Sequence, residues 1–145
     1  MKNIALLFLS MLLSTTMLAG KGHTKFKLFF TDNTGEIALE SAHVTVYQDG
    51  VQVLDQDFKG HSAKFKMKNN HRYIVVVKKE GYADYYLAYD LTKADNKDSI
   101  GFDSVVFFGL TNECASVTIY DSSAQNHFIH QAMDVADLKA EIHTH

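Results

Sequence analysis

Residues 72–89, RYIVVVKKEGYADYYLAY, decide the fold of this chain. Tyr73 to Val77 form a β-branched and aromatic run, too short to span a membrane and apolar on both faces of the pleat, as in a central strand of a sandwich. Lys78, Lys79 and Glu80 end the burial, and Gly81 supplies a turn because it takes positive φ without steric cost. A second extended run begins at Tyr82 and reaches Leu91. In it Tyr85, Leu87, Tyr89 and Leu91 share one face, Tyr86 and Ala88 the other, and one of these faces is core. The two runs read as a hairpin.

Working back toward the N-terminus, Ala63, Phe65 and Met67 alternate with Lys64, Lys66 and Lys68, whose charges mark a solvent face and suit an edge strand. Before that break lies Asp49-Gly50, the strongest hairpin signal in the chain, between Ala42–Gln48 and a return strand ending near Asp57. Phe26, Leu28 and Phe30 alternate with Lys25 and Lys27 in a half-buried first strand, followed by a turn at Asp32, Asn33, Thr34 and Gly35.

Toward the C-terminus, Ile100–Leu110 carries Val105, Val106, Phe107 and Phe108, again apolar on both faces, which predicts a second buried strand and hence two packed sheets. A polar tract containing Asp95, Asn96, Lys97 and Asp98 precedes it as the longest loop. Ala115, Val117 and Ile119 alternate in a further strand, and His127 to His130 form a short closing one. The period then changes: Asp134 stands where a helix cap would, with Val135, Leu138 and Ile142 at helical spacing to about His143.

The whole is 145 residues with 46% hydrophobic and 21% charged residues, which fits one globular domain with a core. A net charge of -3 gives no basis for nucleic-acid binding. Lys2, the apolar run Ile4 to Leu13, and the small residues up to Gly20 read as a secretory signal peptide over residues 1–20, shorter than the roughly 20 apolar residues of a spanning helix. Cleavage is expected after Ala19 or Gly20, with bulky Met17 or Leu18 at the minus-three position. The sandwich then covers 21–132 and the helix and tail 133–145, exported to the periplasm or secreted, with no membrane span after cleavage. Cys114 is the single cysteine, so no internal disulfide forms. It reads as a small buried residue at the mouth of a strand, with an intermolecular disulfide as the rival reading.

Three segments, FTDNTGEIALESAHVTVYQDG, FKGHSAKFKM and RYIVVVKKEGY, resemble the carboxypeptidase regulatory-like domains, a transthyretin-like and Cna-B-like family of small β-sandwiches. The resemblance rests on Asp32 and Gly35, on Ala42, Val44 and Val46, on Asp49-Gly50 and Gly60, and on Lys79, Glu80, Gly81 and Tyr82. Ile37 stands where the family usually has proline, an extra residue precedes Ala42, and Phe65 lies farther past Gly60 than the pattern places it. The later segments IGFDSVVFFGL and VTIYDSSAQNHFIHQAM are similar to the extension of secreted stand-alone bacterial members. The resemblance implies an all-β, Ig-like or prealbumin-like antiparallel sandwich of about seven to nine strands with a short C-terminal helix. It also implies a non-catalytic binding or structural accessory of the cell envelope, facing an envelope protein or surface polysaccharide and needing no cofactor.

Two alternatives are weighed beside it. Tyr82 and Tyr86, with Tyr85 and Tyr89 nearby, would let the domain stack on sugar rings, although alternation sends about half of such rings into the core. His127 with His130 would serve a metal-dependent hydrolase, yet three residues apart in a strand they point to opposite faces and lack cysteine or acidic partners to complete a shell. Asp32, Asn33 and Glu36, Asp55 with Asp57, and Asp95 with Asp98 read as solvated turn residues and lack a calcium-loop pattern. No Gly-x-Ser-x-Gly elbow is present, and Arg72, the sole arginine, matches no motif of the transthyretin-related hydrolases.

Overall fold

A computed structural model describes residues 22–94, 99–110, 114–121, 123 and 127–143. The expected signal peptide, the tract Asp95 to Asp98, and the side chains of Cys114 and His143 lie outside the described residues. The strands are β1 (His23–Asp32), β2 (Ala42–Gln48), β3 (Val51–Phe58), β4 (Ser62–Lys68), β5 (Arg72–Lys78), β6 (Tyr85–Lys93), β7 (Ile100–Phe108), β8 (Cys114–Asp121) and β9 (Phe128–Ala132), followed by helix α1 (Val135–His143). They form a three-stranded sheet in the order β4-β1-β7 and a six-stranded sheet in the order β3-β2-β5-β6-β8-β9. The described residues form a β-sandwich with one short helix at the end.

The hairpin of β5 and β6 sits in the middle of the larger sheet, with Val75 opposite Leu87. Asp49 and Gly50 both take positive φ, 50° and 86°, the two left-handed positions of a type I′ turn, and they join β2 to β3 with Gln48 opposite Val51. Not every neighbour is antiparallel, as the sequence reading had it. β1 runs parallel to β7, and β6 parallel to β8. Each parallel pair is made by segments far apart in the chain, a pairing that no local turn signal announces.

Between the sheets, Phe26, Leu28 and Phe30 of β1 meet Val44 and Val46 of β2, Tyr73, Val75 and Val77 of β5, and Leu87, Tyr89 and Leu91 of β6. The Phe26 ring stacks on Phe65 at 5.3 Å and on Phe102 at 5.5 Å, and meets Tyr89 edge-on at 4.7 Å. Such pairs contribute about 0.5–1.5 kcal/mol each beyond their area. The Tyr89 phenol bonds Ser104 at 3.0 Å, and burial pushes its pKa up to about 12.

The other face of the central hairpin is buried too, for a reason absent from a simple two-layer picture. Ile74, Val76, Tyr86, Ala88 and Val117 form a second cluster around Leu138 of α1, with Val135 and Ile142 packed against it. Asp134 caps that helix by accepting a bond from the Ala136 N–H at 3.0 Å. Nine residues are too few for an isolated helix, so docking must supply its stability. Arg72 reinforces the dock, its Nε and Nη2 each donating at 3.0 Å to the two oxygens of Glu141, with Asp90 at 3.6 Å.

The expectation of a second two-sided strand is corrected in β7. Ile100, Phe102, Val106 and Phe108 are buried, but β7 is an edge strand of the smaller sheet, and Val105 and Phe107 remain 40% and 42% exposed on its outer side. No helix in the described residues is long and apolar enough to cross a membrane.

Candidate functional site

The smaller sheet presents its outward residues in register. Lys25 lies opposite Lys66, and Lys27 opposite Lys64, across the antiparallel β1/β4 pair. On the other side of β1, Gly101 is level with Lys25 and Asp103 with Lys27. These six residues line an open groove of ≈ 540 Å³. Directly opposed side chains in an antiparallel pair stand about 5 Å apart, where like charges repel. Among the described residues none of the four lysines has an ion-pair partner, whereas Lys78 and Lys93 are paired with Asp84 and Asp121. Lys27 instead rests its ammonium 4.5 Å over the Phe29 ring.

Gly101 shapes this groove. A methyl group built on it would meet nothing within 4 Å, and its φ is not in the left-handed region. Neither packing nor backbone geometry therefore calls for glycine at this point of a strand. Its effect is to leave the cleft beside Lys25 open.

A second constellation crosses β2 and β3 on the larger sheet. His43 Nδ1 lies 2.7 Å from Asp57 and its Nε2 2.5 Å from Asp55, which also accepts a 2.9 Å bond from Thr45. Two carboxylates on the two ring nitrogens require both nitrogens to carry protons. The Asp57 bond first and the Asp55 bond second raise the His43 pKa, while His43 and then Thr45 lower that of Asp55. An imidazolium held in this way has no free lone pair with which to act as a base.

No family model and no curated protein matches the chain.

The residues singled out from sequence fall in different places. Tyr86 is buried at 6% exposure in the cluster beneath α1, with Lys139 Nζ 5.6 Å from its ring. That corrects the expectation of a stacking surface there: the helix occupies the face a sugar would need. Tyr82 is half-buried and leans on Phe108 at 5.6 Å, outside β6 and away from Tyr86. His130 Nδ1 is bonded to Thr118 at 3.0 Å, and His127 lies against the Tyr120 ring at 6.0 Å. Among the described residues no group of three or more histidine, cysteine, aspartate or glutamate side chains is placed to hold a metal. Asp32 is a turn residue, accepting from Thr34 at 2.8 Å, and that bond lowers its pKa.

Sequence reading missed the lysine groove as a site. The two alternating lysine runs were visible as solvent faces, but that β1 and β4 set them directly opposite one another is a tertiary fact.

Proposed function

We propose that the protein is an exported, non-catalytic β-sandwich acting as a binding or structural accessory of the cell envelope, with the open face of the three-stranded sheet as its contact surface. The observation that carries this reading is the two opposed lysine pairs, none of the four lysines in an ion pair among the described residues, on a chain whose net charge is negative. Surfaces that serve only solubility intersperse the two signs, whereas this one gathers one sign around a cleft. The resemblance to stand-alone regulatory-like sandwiches and the leader-like residues 1–20 support the envelope setting. The carbohydrate alternative moves from Tyr82 and Tyr86 to this lysine face, where Phe29 lies beside the charges. A metal-dependent hydrolase built on His127 and His130 gains no support from the positions of those rings.

The test is crosslinking and affinity capture from the protein's own cells, alongside fractionation. Recovery with envelope material, reduced when Lys25 and Lys66 are both changed to Gln, is the expected result. A chain that stays with the cytosol, or is captured equally well without those lysines, would sink the proposal.

A further inference from the structure

We infer that the groove between Lys25, Lys27, Lys64 and Lys66 is a binding site for a single strand of acidic polysaccharide, a chain of sugars bearing carboxylates along its length. The inference rests on the accessory reading above and gives its partner a chemistry. The lysines form two rows, Lys25–Lys27 on β1 and Lys66–Lys64 on β4. Successive outward residues on a strand lie about 6.5–7 Å apart and the rows about 5 Å apart. Ammonium groups on flexible stems at this spacing can meet charges carried on successive sugars of one extended chain.

Three features favour this occupant. The like-charged pairs are placed where repulsion is strongest, and an anion between the rows turns that repulsion into attraction. Gly101 holds open the side of the groove next to Lys25 although nothing around it would resist a larger side chain. Close approach by a ligand is one of the reasons for a glycine within a strand, and the β1/β7 pairing runs through Gly101 with no register shift that would make it a bulge. Finally, Phe29, lying under Lys27, and the half-exposed Val105 level with it in β7 continue the same face as an apolar strip, against which the C–H face of a sugar can rest. The single acidic residue in the lining, Asp103, is level with Lys27 and leaves a local excess of positive charge. The chain's net charge of -3 argues against a nucleic-acid partner, and an anionic lipid surface is the competing occupant that vesicles are there to detect.

The experiment uses fluorescently labelled octagalacturonate, its fully methyl-esterified form, and vesicles containing phosphatidylglycerol, each titrated with the purified protein. The acid form should bind, weakening as salt rises, and the ester should not. Lys25→Gln with Lys66→Gln should weaken binding by about tenfold, the effect of roughly one lost contact of modest strength per lysine. Gly101→Val is the decisive variant: it should abolish or sharply weaken binding while its thermal midpoint stays equal to or above that of the parent, because valine suits a strand better than glycine. The inference is overturned if acid and ester bind alike, if neither binds, if Gly101→Val binds as the parent does, or if only the vesicles bind. Envelope capture that persists while octagalacturonate fails would remove this inference and leave the accessory reading standing. Binding of octagalacturonate by a protein never found with the envelope would do the reverse.

Discussion

The outer face of the six-stranded sheet carries Ile74, Val76, Tyr86, Ala88 and Val117 and is roofed by α1, whereas the outer face of the three-stranded sheet carries Lys25, Lys27, Lys64 and Lys66 and is left to water. Both are outer faces of sheets in one sandwich, with the same core between them. The first has been filled until apolar groups touch apolar groups, and the second retains charges that repel one another. Filling a face adds stability and removes a surface. Leaving like charges opposed does neither; on β4, an edge strand, the lysines discourage pairing with another chain, but that does not require the facing lysines of the central strand β1.

The largest expected effect comes from breaking the roof. Leu138 is fully buried at the centre of the second cluster, and Leu138→Ala should cost about 2–3 kcal/mol, toward the lower end for buried leucine because a terminal helix can shift to fill part of the space. Urea titration measures it, and an unchanged midpoint would mean that α1 contributes nothing to the fold. The next effect is smaller. Arg72 and Glu141 are both partly exposed, at 30% and 37% of their side chains, so a double-mutant cycle with Arg72→Met and Glu141→Gln should return a coupling of about 1 kcal/mol or less, at the upper end for exposed pairs because the contact is bidentate. A coupling of zero would assign the docking to apolar contact alone.

The third effect has the opposite sign, and sharpens the contrast between the faces. Lys66→Glu places unlike charges across the Lys25 position and should stabilise the protein by about 0.5 kcal/mol at low salt, an increment that shrinks as sodium chloride is raised. A destabilised variant would show that the opposed lysines are not in tension. The smallest effect concerns His43, which belongs to neither face's main cluster. Its pKa is raised by Asp57 and Asp55, so its contribution is whole below the unfolded value near 6.5 and is lost as pH rises through the folded value. Asp55 is lowered, so its contribution is whole above 3.8 and is lost as pH falls through its folded value. His43→Gln should therefore flatten the decline in stability above about pH 6.5. Thermal midpoints of parent and variant that fall in parallel from pH 6 to 8 would contradict this.

Much of the sandwich was legible because its signals are local. Ala42–Gln48, Asp49-Gly50 and the alternation of Phe26, Leu28 and Phe30 each specify a strand or turn within a few residues, and Asp134 with Leu138 announces a capped amphipathic helix. What escaped depends on neighbours distant in sequence. The apolar second face of Ile74 and Val76 was visible, but that α1 is what covers it was not. Val105 and Phe107 looked like core because an apolar run in sequence does not say whether its strand lies in the middle of a sheet or at the edge. The groove was illegible for a related reason: two harmless lysine runs become a charged cleft only once β1 and β4 are paired and Gly101 is brought alongside.

The parallel partnership of β1 with β7 carries a kinetic consequence. Thr24 is joined to Ile100 and Asp32 to Phe108, so β1 must wait for about seventy further residues before one of its two edges is satisfied. Loop closure over such a separation is entropically costly early in folding. A nascent chain halted before Ile100 would have β1 with an unsatisfied edge and no means of completing the smaller sheet, leaving that edge open to mispairing until β7 emerges.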